Sequence, residues 1–206
     1  NINTVSIRIL SFVIIGGFVG YIIYILKKQY TTLENLYRKD SVTNVPNRVA
    51  LMEELAKVNK YGKKESKILI VVYIENIIEI FNMLGHSNNE IALKSIAKHF
   101  YQFIEKNNIK MFNSHSLKFE FLLNDLEINE VENWLEKLNR YLHEVPLYIE
   151  ETQLSLRTIM GVSEIKPRKN AEKIIREAYE AVEFASNNNK DFYVYTPMLD
   201  KNLQTT

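Results

Sequence analysis

The stretch SHSLKFEFLL, Ser114 to Leu123, carries the residues of this chain that invite a chemical reading. Leu117, Phe119 and Phe121 alternate with Lys118 and Glu120, and that period of two predicts a strand–turn–strand. Glu120 is its one carboxylate. A carboxylate can ligate a hard divalent cation or accept from the amine edge of a purine. Glu75 and Glu90 are the other carboxylates considered for such a contact. Taken singly, the three read more simply as solvated surface groups. Cysteine is absent, so thiol nucleophiles, disulfides and cysteine–zinc sites are excluded.

The elements that must position these residues alternate along the chain. DSVTNVPN is a loop and cap, followed by a helix from Arg48 to Asn59. KILIVVYI, Lys67 to Ile74, is a continuous apolar run, as expected of a strand covered on both faces. A short helix from Asn76 to Met83, a turn at LGHSN and an amphipathic helix from Glu90 to Lys106 come next. After the hairpin, Asn129 to His143 predicts a helix. Asn129 and Glu132 have the spacing of a capping pair there, and Val131, Trp134, Leu135, Leu138 and Leu142 form one stripe. A strand at Leu154 to Val162, a helix at Ala171 to Ala185 and a strand at Asp191 to Tyr195 complete the pattern. Mixed strands and helices around a hairpin predict an α/β fold, with helices flanking a mixed sheet.

Ahead of this domain, ILSFVIIGGFVGYIIYIL, Ile9 to Leu26, has no charge. At about 1.5 Å per residue it spans roughly 27 Å as a helix, near the hydrocarbon thickness of a bilayer. Lys27, Lys28, Arg38 and Lys39 follow it and only Arg8 precedes it, which predicts a single-pass cell-membrane protein with everything after Lys27 in the cytoplasm. Gly16 and Gly20 make a G-x-x-x-G face for packing against another membrane helix, in a homodimer or with a different membrane protein. Tyr30, Leu33 and Tyr37, with Leu36 beside them, suggest a short coiled coil or a helix packed on its own domain. The expected division is a flank at 1–8, the span at 9–26, a linker helix at 27–39, the soluble domain at 40–197 and a tail at 198–206. A net charge of +1 over 206 residues gives no electrostatic case for nucleic acid as partner.

Four segments in order resemble the GGDEF domains, the diguanylate cyclases. DSVTNVPNR, Asp40 to Arg48, is similar to the family's D-x-L-T-G-L-P-N-R opening. IFNMLGHSNNEIALKSIA is similar to its I-N-D-x-x-G-H segment. FEFLL stands where the signature hairpin belongs, and EAYEAVEFASNNNKDFYVY resembles the closing segment. The resemblance implies a palm-like fold and a reaction that joins two GTP molecules into cyclic di-GMP. That reaction needs divalent cations held by carboxylates and lysines on phosphates.

Carried over residue by residue, the resemblance implies a degenerate site. Tyr73 stands for the first metal carboxylate, with Glu75 beside it. Ile78 stands for a phosphate lysine and Phe81 for the guanine-reading asparagine. Glu90 conservatively replaces the second guanine contact. Leu117 and Lys118 stand for the two signature glycines and Phe119 for the metal-binding acid, while Glu120 and Phe121 remain. Ser186 replaces a late phosphate lysine, and Lys190 stands near the place of an arginine. Asn108 and Met111 occupy the arginine and aspartate positions of the family's inhibitory R-x-x-D site. The expectation is therefore no catalytic residue, no metal site and no cofactor, with Glu75, Glu90, Glu120 and Lys190 as residual nucleotide-contact candidates. Asp40, Asn47, Arg48, Gly85 and His86 read as cap and turn residues. The resemblance points to a regulatory or scaffolding subunit of a membrane complex, with a polysaccharide synthase or secretion system linked to cyclic di-GMP as leading partner. The alternative is a non-catalytic nucleotide receptor, with Tyr73, Phe81 and Phe119 stacking on a purine and Glu90 reading its edge.

Overall fold

The computed structural model describes residues 2–61, 67–105, 109–115, 117–124, 126–149, 151–166 and 169–197. The chain divides into two units at Arg38 and Lys39. The first is one uninterrupted helix, α1 (Ile2–Arg38). It is long and apolar enough, by length and composition, to cross a membrane.

The second unit is a mixed α/β domain. In chain order its elements are α2 (Arg48–Tyr61), β1 (Lys67–Ile74), α3 (Ile77–Leu84), α4 (Asn89–Ile104), β2 (Ile109–His115) and β3 (Lys118–Asn124). They are followed by α5 (Val131–Glu144), β4 (Leu147–Ile149), β5 (Thr152–Leu154), β6 (Thr158–Ile165), α6 (Ala171–Asn187) and β7 (Phe192–Val194). The main sheet runs β2-β3-β1-β6-β7; β7 is parallel to β6 and the other pairs are antiparallel. The α/β expectation is met, with helices on both faces.

β1 is the central strand, and its apolar run divides by parity between two cores. Ile68, Ile70, Val72 and Ile74 face the larger core, shared with Phe100 of α4 and Leu135 and Leu138 of α5. Leu69 and Val71 face the smaller core, shared with Leu51 and Leu55 of α2 and Ile174 and Ala178 of α6. Gly161 sets how closely α6 lies on β6. A Cβ there would stand 2.1 Å from the Ala178 carbonyl oxygen and 2.6 Å from the Val182 nitrogen. Only glycine allows that approach without a backbone shift.

Three local expectations need correction. The strand predicted from Leu154 to Val162 is two strands, β5 and β6. Asn76 breaks it: its side-chain amide donates to the Ser155 carbonyl (2.8 Å) and its oxygen accepts from the Arg157 N–H (2.9 Å), turning Ser155–Arg157 out of the ladder. Apolar patterning reads through such a kink because the residues on either side keep facing the core. The hairpin β4–β5 was not predicted at all; each of its strands has three residues, too few to set a period. The start of α5 is not capped by Asn129 and Glu132. A 3-10 turn, Ile128–Glu130, precedes it, and the Glu130 carboxylate accepts from the Glu127 N–H (3.2 Å).

The loop before α2 shows what its polar residues do. Asp40 Oδ1 accepts from Val42 N–H, Thr43 N–H and the Thr43 hydroxyl, and Asn44 takes φ 59° in the resulting turn. Asn47 Oδ1 accepts from the Val49 and Ala50 N–H groups, an N-cap for α2.

Candidate functional site

The β2–β3 hairpin is held by a residue that the sequence patterns did not single out. Asn113 is buried, and its side-chain amide donates to the carbonyls of His115 (2.8 Å) and Lys118 (2.9 Å). The ladder shifts register between Phe112 and His115, so these two bonds close the tip where strand pairing lapses. The Asn113 N–H donates to the Pro46 carbonyl (2.8 Å), which ties the hairpin to the loop before α2. Leu117 turns in against the larger core, and its carbonyl accepts from the Ile74 N–H (3.0 Å) at the end of β1.

Past the tip, each side chain of β3 has a fixed destination. Lys118 is opposite Tyr73 of β1. Its Nζ lies 4.3 Å from the ring centroid of Tyr179 on α6 and 5.9 Å from that of Tyr73, a cation set against two aromatic rings. Phe119 is 0% exposed, its ring 5.0 Å from that of Phe100. It is therefore unable to stack on a purine, and that part of the nucleotide-receptor expectation is corrected. Phe81, half-buried, packs against the same core.

Glu120 is the second correction. It is not a solvated surface carboxylate but a fully buried one. Its Oε1 accepts from the Tyr179 hydroxyl (2.8 Å) and its Oε2 from the Ser114 N–H (3.0 Å). Burial raises its pKa to about 7, against the lowering pull of these two hydrogen bonds and of the nearby Arg48 guanidinium. Burial first, and then Glu120, push the Tyr179 phenol well above its ordinary value. His115 is held below its ordinary value by burial, then by Arg48 and Lys118. Glu120 thus works as an internal tie between hairpin and α6, out of reach of any ligand.

The remaining candidates lie at the surface. Glu75 is half-exposed, its Oε2 3.7 Å from Arg157 Nε, and the same guanidinium reaches Glu79 (2.8 Å). Glu90 is exposed and lies 3.7 Å from Lys94. Ile78 is 64% exposed on α3. Ser186 and Lys190 are exposed at the end of α6, where Asn189 takes φ 51° and the Lys190 Nζ stands 5.6 Å from the Tyr193 ring centroid.

Two open clefts take in some of these positions. One, of about 610 Å³, is lined by Arg48, Tyr73, Lys118, Tyr179 and, along α6, residues through Ser186. The other, of about 340 Å³, is lined by Glu75, Arg157, Thr158, Ser186 and Lys190, with Asn139 and His143 of α5. Ser186 belongs to both. The buried hydroxyl of Thr158, in the second cleft, has no hydrogen-bond partner. Glu90, Ile78 and Phe81 line neither cleft. Among the described residues, no group of three or more His, Asp or Glu side chains is arranged to hold a metal ion. Tyr179 and Arg157 escaped the sequence reading because each acts through a partner distant in the chain.

The profile of the family described as diguanylate cyclase, GGDEF domain, matches residues 37–191. This chain belongs to the GGDEF family. Solved structures of the same fold include the coiled coil and GGDEF domain of DgcB from Caulobacter crescentus in complex with c-di-GMP, 16% identical, covering 85% of this chain and 94% of that one at a TM-score of 0.70. The diguanylate cyclase SiaD from Pseudomonas aeruginosa, in complex with its activator SiaC, is 17% identical over 86% of this chain and 68% of that one, at 0.67. The FimX GGDEF domain from the same organism is 12% identical over 73% and 94%, at 0.65. No curated protein matches the chain.

Proposed function

We propose that this chain is a membrane-anchored GGDEF protein that has lost diguanylate cyclase activity and works as a regulatory or scaffolding subunit of a membrane complex. One observation carries the loss of activity. The two positions that the family resemblance assigns to metal carboxylates hold Tyr73 and Phe119, and Phe119 is fully buried against Phe100. A phenyl group has no donor atom, and a phenol oxygen is a far poorer ligand for a hard cation than a carboxylate. The residues present do not fit a divalent cation. The Lys118 stem and ammonium stand beside Tyr73 where the family has only glycine backbone.

With that chemistry gone, protein contact is the function that the architecture serves. α1 supplies the anchor, with the residues after Lys27 on the cytoplasmic side by their charge. That SiaD is seen with an activator protein supports partner binding as a use of this fold. A membrane polysaccharide synthase or secretion system linked to cyclic di-GMP is the partner class we favour. Incubation of the purified chain with GTP and magnesium or manganese should give no cyclic di-GMP by chromatography; a clear product overturns the reading. Alkaline extraction of membranes should leave the chain in the pellet.

The second reading, a non-catalytic nucleotide receptor, has the smaller cleft in its favour. Lys190, Arg157 and the unpartnered Thr158 hydroxyl line that cleft together. Calorimetry with GTP, ATP and cyclic di-GMP separates the two readings, since the scaffold reading predicts no heat with any of them.

A further inference from the structure

The larger cleft holds two cations that its own carboxylates leave unpaired. Arg48, at the start of α2, and Lys118, at the start of β3, line it together with Tyr73 and Tyr179. Among the described residues no carboxylate forms an ion pair with either cation. Other cations of the domain do have acids: Arg157 reaches Glu75 and Glu79, Lys169 reaches Glu177, and Arg176 reaches Glu180. The buried Glu120 accepts from Tyr179 and Ser114 instead.

Both charges bear on one place. His115 is lowered by burial and then by Arg48 and Lys118, and the Arg48 charge also reaches Glu120 and Tyr179. Like charges brought together repel, and an anion between them relieves that repulsion. A single residue fixes both. The Asn113 N–H donates to the carbonyl of Pro46, two positions before Arg48, and its side-chain amide donates to the carbonyl of Lys118. Asn47 caps α2 at the same point, and the Lys118 ammonium stands 4.3 Å from the centroid of the Tyr179 ring. The pair is therefore placed before any ligand arrives, which lowers the cost of binding.

The surroundings narrow the ligand. A guanidinium fork and an ammonium suit a group that carries two negative charges on its oxygens. The cleft, at about 610 Å³, is much larger than such a group, and Tyr73, Tyr179, Ile175 and Val182 give it aromatic and apolar walls. The anion should then carry an organic body. Along α6 the cleft also presents Glu172, Glu180 and Glu183, with Arg176 already paired to Glu180. A run of phosphates would meet those carboxylates, so a monoester fits where a triphosphate does not.

We propose that Arg48 and Lys118 bind the phosphate of a small organic phosphate monoester whose body lies on Tyr73 and Tyr179. Neither reading above gives Arg48 or Lys118 a ligand. Of the positions that the family resemblance assigns to phosphates, Ile78 lies outside this cleft, Lys190 lines the other, and Ser186 brings no charge.

Phenyl phosphate is the probe, added to the full chain in detergent at constant ionic strength. The chain has four histidines, and a His115→Gln variant assigns the His115 ring signal in nuclear magnetic resonance spectra. Binding should raise the His115 midpoint by roughly 0.5–1 pH unit, because it neutralises the two cations that lower it. Inorganic phosphate should act more weakly, and GTP should not displace the probe. Arg48→Gln and Lys118→Met should each weaken binding about tenfold or more, while Lys94→Met, outside the cleft, should not. A midpoint that moves no further than with chloride overturns the site, as do variants that bind like the parent or an equal loss in Lys94→Met. GTP binding as tightly as phenyl phosphate overturns the choice of a monoester. Should the variants fail to fold, amine acetylation of the parent decides: the probe should slow labelling of Lys118 and leave Lys94 unchanged, and equal labelling of Lys118 with and without it refutes the proposal.

Discussion

Replacing Glu120 by glutamine should remove a pH dependence of folding that runs opposite to the usual carboxylate behaviour. The buried carboxyl titrates at about 7 in the folded domain against an ordinary value of 4.5. Between those values the folded protein holds a proton that the unfolded chain has released. Stability is therefore fully present at and below about pH 4.5 and falls as pH rises towards 7. The difference corresponds to roughly 3 kcal/mol. His99, lowered by burial, and His115, lowered by burial and then by Arg48 and Lys118, act in the other direction, adding stability as pH rises through their unfolded value near 6.5. They are common to both proteins and cancel in the comparison. Glutamine fits the site, because its oxygen can accept from the Ser114 N–H while the Tyr179 hydroxyl rotates to accept from its amide. Urea unfolding of detergent-solubilised parent and Glu120→Gln, followed by near-ultraviolet circular dichroism from pH 5 to 8, should give two curves. They agree within about 1 kcal/mol at the acid end, and the variant gains roughly 2–3 kcal/mol at the alkaline end. A constant offset across the range would refute a titrating Glu120, and a parent that gains relative to the variant as pH rises would reverse the sign of the argument.

The other expectations concern packing around the hairpin and α6. Gly161→Ala forces a Cβ against the α6 backbone and should cost roughly 3 kcal/mol, read as a lower urea midpoint at unchanged slope. Asn113→Ala removes both bonds that close the hairpin tip; about 2 kcal/mol should be lost, and hydrogen exchange at the β2–β3 amides should speed up before that of α4. Phe119→Asp, which puts an acid at the position the family resemblance assigns to one, should yield no cyclic di-GMP and should destabilise the domain by about 3–5 kcal/mol, since the charge has Phe100 for a neighbour. A folded Phe119→Asp protein that turns over GTP would contradict the reading of the site.

What was legible in the sequence follows the range of the interaction. β1 was read to the residue, because seven apolar residues between Lys67 and Glu75 leave little latitude. α4 and α6 came within two residues at each end, since their stripes are long enough to fix a period. Contacts across the chain were not legible. The Tyr179 hydroxyl and Glu120 are 59 positions apart, and no pattern local to either announces the bond. The kink at Ser155–Arg157 is set by Asn76, on the far side of the sheet connection in sequence. Family resemblance supplied the positions that matter, but not where their replacements point. That Phe119 goes inward while Lys118 stays at the rim depends on the parity of β3 against β1.

The placement of Lys118 bears on how substitutions in this hairpin would combine. Its ammonium leans on Tyr179, and the hydroxyl of Tyr179 holds Glu120. A glycine at position 118 would uncover the ring that anchors the buried acid, and an acid at position 119 would empty the space beside Phe100. The two neighbours on β3 are thus tied to different helices, Lys118 to α6 and Phe119 to α4, so a change in the hairpin is felt on both faces of the sheet at once.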